Sequence, residues 1–269
     1  MDSRIVYTSR SRQKKSRFTK GKVYALLGFF VFALAAGGSV YALRYPDWQI
    51  IHVSITGLEK ISPDDVRRVI SQELTGSVAF VMPKSSYFLF DSARAEARAR
   101  EAFPRLETIE IKKEFPSTLS VTAHERGFWA MYCIESGACG YIDATGFLYE
   151  TAPASTGSLI LKITSDASRL DVPSEPLARD LAQSLGRFAS MLEEKTDEKA
   201  QEFIISQNLL DEFKVRTQSG FLLFVKRDDD YESVLRVLDT VLKEEVGNKK
   251  SSLEYIDLRF GNKVFYKSR

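Results

Sequence analysis

Ile109–Glu125 reads IEIKKEFPSTLSVTAHE. Ile109 and Ile111 alternate with charged neighbours, and Leu119, Val121 and Ala123 alternate with polar ones, the period-two signature of strands with one buried side. Phe115-Pro116-Ser117 lies between the two runs and supplies turn chemistry, because proline fixes φ and removes a backbone donor. The stretch predicts a hairpin whose apolar sides enter one core.

Upstream, Asp91 caps an alanine-rich helix running to about Ala102 and ended by Pro104. Before it, Thr75 to Phe90 reads as an apolar, irregular connection. Ser62-Pro63-Asp64-Asp65 places an N-cap, a proline at the first helical position and two acids in the first turn, and Val66, Val69 and Ile70 supply that helix's apolar face. From Gln49, Ile51, Val53 and Ile55 alternate with His52, Ser54 and Thr56, a half-buried strand ended by Gly57. Residues 49–126 thus read strand, helix, helix, strand, strand.

Further upstream, Val23–Leu43, VYALLGFFVFALAAGGSVYAL, carries no charge and is long enough to cross a hydrocarbon core of about 30 Å at about 1.5 Å per residue. It predicts a transmembrane helix over 23–43. Residues 1–22 form a basic tail, with Arg4, Arg10, Arg12, Lys14, Lys15, Arg17, Lys20 and Lys22 against the single acid Asp2, so the formal net charge of +2 hides an acidic remainder. Such a tail predicts a cytoplasmic N-terminus and an extracytoplasmic C-terminal bulk, and it reads as a topology signal drawn to the lipid bilayer rather than as a nucleic-acid arm. Tyr24 at one end, and Tyr41, Tyr45 and Trp48 at the other, suit the headgroup zone. The competing reading is a cleaved signal peptide, with Ala33-Leu34-Ala35 as its cleavage site. The Ala33/Gly37 spacing would suit weak self-association between spans.

Downstream of the hairpin, residues 127–269 read as a mixed β-domain. Strands are expected near Tyr141 to Ile142, Phe147 to Tyr149, Leu159 to Ile163, Phe203 to Ser206, Phe213 to Thr217 and Phe221 to Val225. A helix from about Glu175 to Leu192 presents Leu177, Leu181, Leu185, Phe188 and Leu192 as a stripe, and another from Tyr231 to Val246 ends before Gly247. Ile256, Leu258 and Phe260 then alternate with Asp257 and Arg259, Gly261-Asn262 supplies a turn, and Lys263 to Lys267 returns as a last strand. That strand can form an outer edge whose unpaired backbone accepts a partner strand, with Val264, Phe265 and Tyr266 gripping side chains; Lys263 and Lys267 would guard it or suit an acidic partner. The fold class is α+β.

No catalytic constellation is expected. His52 and His124 fall on outward faces and could meet over a metal only if their strands are neighbours, and two ligands alone make a poor site. Ser11-x-x-Lys14 resembles the nucleophile pair of penicillin-binding enzymes but sits in the basic tail, and Asp228 to Asp230 look like a helix start. No G-x-S-x-G, phosphate-binding glycine loop or H-E-x-x-H occurs, so neither cofactor nor metal is anticipated. Cys133 and Cys139 flank a hairpin loop and are disulfide candidates in an oxidising compartment.

Four features in order carry a resemblance: the basic tail with one span; the strand end in IIHVSITGLEKISPDDV, Ile50–Val66; the K-x-F-P-S-T-L-x-V hairpin with its trailing Glu125-Arg126; and the terminal YIDLRF, with GYIDATGFLYE between them. Together they resemble the polypeptide-transport-associated (POTRA) module and β-domain of the FtsQ/DivIB cell-division family. The resemblance implies a non-enzymatic, bitopic scaffold enriched at the division septum of the bacterial cell membrane. Such a scaffold recruits FtsB-like and FtsL-like partners and links early and late division proteins to septal peptidoglycan synthesis. It also implies that Arg259 pairs with an acid of the partner, that Phe260 and Lys263 to Tyr266 form the docking edge, and that Arg259→Glu weakens binding without unfolding the domain. The alternatives are a membrane-anchored envelope enzyme and a POTRA-type chaperone for exported chains.

Overall fold

The protein is described by a computed structural model covering residues 20–79, 82–153, 159–206, 209–261 and 263–269. Most of the basic tail, the Ser11/Lys14 pair and Asn262 of the last turn lie outside the described residues. The described chain divides into two compact units, one formed by residues up to Ser54 with Ile70–Ser92 and Lys112–Ser120, the other by Ile55–Val69, Ala93–Ile111 and Val121–Arg269.

Helix α1, Lys20–Leu43, carries lysines only at its first turn and from Val23 onward has no charged side, as a helix surrounded by lipid requires. Its window Gly21–Leu43 has a mean hydropathy of 2.0 with none of it buried, which rules out a role as the core helix of a soluble domain and fits a single-pass membrane protein.

Strand β1 (His52–Thr56), α2 (Pro63–Leu74), α3 (Ser92–Ala102), β4 (Leu106–Glu114) and β5 (Thr118–Glu125) follow in the expected order, with a two-stranded β2/β3 ribbon, Ser77–Val78 and Met82–Pro83, inside the stretch expected to be irregular. The three longer strands form a sheet in the order β1-β5-β4. Central β5 buries Leu119, Val121 and Ala123 on one side, β4 buries Ile109 and Ile111, α2 buries Val66 and Ile70, and α3 presents Ala95 and Ala99, small enough for close approach. Ile51 departs from expectation: it lies outside β1 and is 70% exposed. Gly57 is required where it stands, since its φ is +85° and a Cβ would meet the Ala123 carbonyl oxygen at 2.1 Å.

The remainder builds a nine-stranded sheet, from β6 (Ala130–Ile134), β7 (Cys139–Ile142), β8 (Leu148–Ala152), β9 (Lys162–Ser165), β10 (Ala200–Ser206), β11 (Leu209–Thr217), β12 (Leu222–Lys226), β13 (Leu253–Phe260) and β14 (Lys263–Ser268). Their order is β14-β13-β12-β11-β10-β9-β6-β7-β8. Local hairpins make the antiparallel ladders, whereas β6/β9, β9/β10 and β12/β13 are parallel, the first of them connected through the β7–β8 hairpin and the other two through helices. A parallel pair needs a crossover, supplied for those two by α4 (Arg179–Lys195) and α5 (Tyr231–Val241). Both helices bury their stripes on one face of the sheet, where Leu185, Phe188 and Leu235 meet Tyr132, Phe203, Phe213, Val225 and Ile256. The opposite face carries the alternate residues, polar and aromatic, including Glu202, Glu212, Phe224, Tyr255 and Asp257.

Candidate partner-docking edge

The end of the sheet at β14 was built from YIDLRFGNKVFYK, and its geometry follows from alternation. Pairing of Ile256 with Tyr266 and of Asp257 with Phe265 puts Phe265 on the open face, while Val264 is half-buried and packs on the core. Val264 is therefore a structural anchor rather than one of the gripping side chains expected. β14 is the outermost strand, and its outer side pairs with no strand among the described residues. Phe260, Phe265 and Tyr266 are 55%, 53% and 47% exposed, and the Phe260 and Phe265 rings stand edge to face at 5.2 Å. Gly261, with φ at +66°, opens the turn that joins β13 to β14. Lys263 is exposed, and Lys267 pairs with Glu254 at 2.7 Å.

Arg259 is held from within. Its Nε and Nη2 donate to the two oxygens of Asp257 at 2.9 and 2.6 Å, and Nη1 donates to Glu212 at 2.7 Å. The guanidinium also lies over the Phe224 ring, 5.1 Å from its centroid. The Arg259 hydrogen bonds depress the pKa of largely buried Asp257 despite its desolvation, and the bonds to Asp257 and then Glu212 push that of Arg259 further up. A glutamate at 259 would therefore face two carboxylates inside its own sheet, so Arg259→Glu would also disturb the fold, contrary to the expectation from sequence. Three of the five guanidinium N–H groups make these bonds, which leaves two with no described partner. Glu212 and Phe224, 47 and 35 positions upstream, were invisible as site residues because the parallel β12/β13 register that brings them here has no local signal.

The other margin is built differently. Leu148 on β8 exchanges backbone hydrogen bonds with Ser174 at 2.8 and 3.1 Å, and the Glu150 carboxylate pairs with Arg105, whose guanidinium also covers the Tyr149 ring. Beside it, Arg126 donates to the Pro104 carbonyl at 3.0 Å and to Asp143 at 2.8 Å, and stacks 4.0 Å from the Phe147 ring centroid. Asp143 also accepts from the Thr145 hydroxyl and from the Thr145 and Phe147 backbone N–H groups. Burial raises its pKa, but these bonds outweigh burial and leave it depressed. Glu125 behaves likewise: burial is outweighed by the backbone N–H groups of Ile61, Glu59 and Lys60, which all bond one carboxylate oxygen. The Glu125-Arg126 pair, noted in the sequence only as a motif ending, thus ties the α2 N-terminal loop to the β7–β8 turn.

Cys133 and Cys139 pair across β6 and β7 and are bonded through sulfur on the face opposite the helices. His52 and His124 are both exposed, but the structure does not bring them together. His52 stands where β1 begins beside Ser117, whereas His124 follows Ala123, which packs on Gly57 at the far end of β1. Asp230 is the N-cap of α5 and accepts from the Glu232 backbone N–H, a capping role as its position suggested.

The family model described as POTRA domain, FtsQ-type, matches residues 49–126, which end at Arg126. A Geobacter protein named cell division protein FtsQ is 26% identical over 265 residues, covering 91% of this chain and 87% of that protein. Proteins of the same name from Streptomyces collinus and Streptomyces venezuelae are each 25% identical, over 51% and 60% of this chain and only 49% and 57% of their own lengths.

Proposed function

We propose that this chain, an FtsQ-family cell-division protein carrying an FtsQ-type POTRA domain, is a non-enzymatic bitopic scaffold that captures a division partner by strand addition at β14. The observation that carries the reading is that β14 stands at an open sheet margin with Phe260, Phe265 and Tyr266 exposed beside it. An added strand would complete the backbone hydrogen bonds of β14, each contributing roughly 0.5–1.5 kcal/mol net, and the aromatic rings would select its side chains. The two remaining N–H groups of Arg259 would bind a carboxylate of the partner while Asp257 and Glu212 hold the guanidinium in place, so the arginine is pre-oriented rather than free to rotate.

Partners of the FtsB and FtsL type, bitopic and coiled-coil, suit this edge, and through them the scaffold would connect early division proteins to the septal wall synthase. The N-terminus would be cytoplasmic and both folded parts extracytoplasmic, where an oxidising environment would keep the Cys133–Cys139 bond closed. The test is affinity capture from detergent-solubilised membranes with the full chain, unaltered and as Phe265→Ala/Tyr266→Ala. Small coiled-coil division proteins should co-purify with the first and be lost with the second; equal recovery with both baits would remove β14 from the binding surface.

A further inference from the structure

The passage from the span into the folded module is not a loose tether. The Tyr87 backbone N–H donates to the Trp48 carbonyl at 2.9 Å and the Ile50 N–H donates to the Ser85 carbonyl at 2.8 Å, so the segment leaving α1 is fastened to the loop after β3. Along it runs an unbroken chain of rings: Tyr41 to Tyr45 at 6.3 Å, Tyr45 to Trp48 at 5.4 Å, then Trp48 to Phe88 at 5.5 Å and to Phe115 at 6.5 Å. Tyr87 closes the group against Phe88 and Phe115. All these residues belong to one compact unit with α1.

Phe115 and Phe88 are 62% and 53% exposed and share Trp48 and Tyr87 as ring neighbours. Ile51, 70% exposed, is tied by its backbone N–H to the Ser117 carbonyl two residues after Phe115, so exposed apolar side chains gather here, which water disfavours. Phe115 is the tip of the β4–β5 turn and Phe88 comes from the loop before α3, so three separate segments contribute to the patch. Isolated exposed apolar residues are ordinary in folded proteins; here they gather around rings that lead back to the last turn of a helix fitted to a bilayer. Tyrosine and tryptophan rings such as Tyr41, Tyr45 and Trp48 favour the headgroup layer, where an apolar body and a polar tip are both accommodated, and apolar side chains beside them gain by burying their area at the boundary between headgroups and acyl chains. Charge of one sign does not account for the patch, because the positions flanking these residues in the sequence carry Arg44, Lys84, Lys112 and Lys113 on one side of the balance and Asp47, Asp91 and Glu114 on the other.

We propose that Phe88 and Phe115 of the POTRA domain, with Ile51, seat in the headgroup layer of the membrane that α1 crosses, so that the base of the domain itself binds lipid. The proposal rests on α1 spanning the membrane. Seating would fix the tilt of the domain on its anchor and restrict the region of space its far end can sweep, which matters for a scaffold that must meet bitopic partners at a set height. Because the local charges nearly cancel, zwitterionic lipid suffices and added salt has little effect.

The test uses the full chain reconstituted in phosphatidylcholine vesicles with bromine on the upper acyl chain as a quencher. Trp129→Phe leaves Trp48 as the only tryptophan; adding Trp48→Phe with either Phe115→Trp or Phe88→Trp moves the reporter onto the domain. The expected result is that the Phe115→Trp and Phe88→Trp reporters are quenched by the brominated lipid to an extent comparable with Trp48, and equally so at high salt. If Trp48 is quenched while both domain reporters respond only to a water-soluble quencher, the span is inserted and the seating is wrong. Domain reporters shielded from both quenchers would mean a protein surface, such as a second copy, covers the patch, which also overturns the proposal. Failure of Trp48 itself to respond would overturn the membrane reading and the seating with it.

Discussion

At one margin of the nine-stranded sheet, β8 is paired to Ser174, overlaid by Arg105 and backed by the Arg126–Asp143 bond. At the other, β14 presents its outer side with two exposed phenylalanines and an exposed tyrosine beside it. A sheet edge left unpaired is a hazard for aggregation, and proteins cover or charge it. Here one sequence does so thoroughly at one margin and only sparingly, with Lys263 and Lys267, at the other. The difference lies on the outer sides. Both margins are braced within the sheet, the one by Arg126–Asp143 and the other by Arg259 with Asp257 and Glu212, but only β14 leaves its outer backbone without a paired strand among the described residues, which is why the proposed docking is placed there.

The largest effect should come from breaking the closed margin. Arg126→Ala leaves Asp143 buried without its cation and removes the cover of Phe147, and urea denaturation should report a loss of about 3 kcal/mol. Replacing Cys133 and Cys139 by alanine opens the short loop between β6 and β7, the latter the neighbour of β8, with an expected loss of about 2 kcal/mol under non-reducing conditions and a much smaller difference from the parent once the parent is reduced. At the open margin, Arg259→Gln should cost only about 1 kcal/mol, since Asp257 keeps the Arg259 backbone N–H as a donor. Phe265→Ala should fall within about 0.5 kcal/mol of the parent while abolishing partner capture, the smallest stability change with the largest change in binding.

Acid acts on both margins, since the pKa of Asp257 beside Arg259 is depressed as well as that of Asp143 beside Arg126. Asp143 and Glu125 have depressed pKa values in the fold, so their contribution is complete above the ordinary carboxylate range of about 4 and disappears as pH falls through the lower folded values. Stability should therefore be flat with pH above that range and decline below it. Asp143→Asn should flatten part of the decline, and a pH titration of thermal unfolding checks the sign.

Much of this was legible in the sequence because it is local. Alternation in IEIKKEFPSTLSVTAHE placed β4 and β5, the cap at Ser62 and the acids after it placed α2, and the uncharged run placed α1. Where the reading slipped, a non-local partner decided. α4 begins at Arg179 rather than Glu175, because Pro173 and Pro176 keep the preceding segment extended and Ser174 pairs with Leu148. α5 widens into a π turn at Leu242–Val246, which still buries Leu242 and Val246. β6 was not anticipated: all five of its residues are buried, so it lacks the alternation that marks a half-exposed strand. The last two strands stand where their alternation places them, except that Phe260 is exposed and Asp257 buried, and these departures, like the burial of Val264 and the brace around Arg259, depend on β11 and β12, whose positions only the parallel crossover through α5 determines.

Hydrogen exchange tests the central claim most directly. Amide exchange of β14 and β8 would be followed in the full chain in detergent, alone and with the protein that the proposed affinity capture recovers. The account predicts that β14 amides exchange rapidly in the free protein and slow markedly on binding, while β8 amides are slow in both states. If β14 exchanges at the same rate with and without the partner, strand addition at that edge is not how this protein binds.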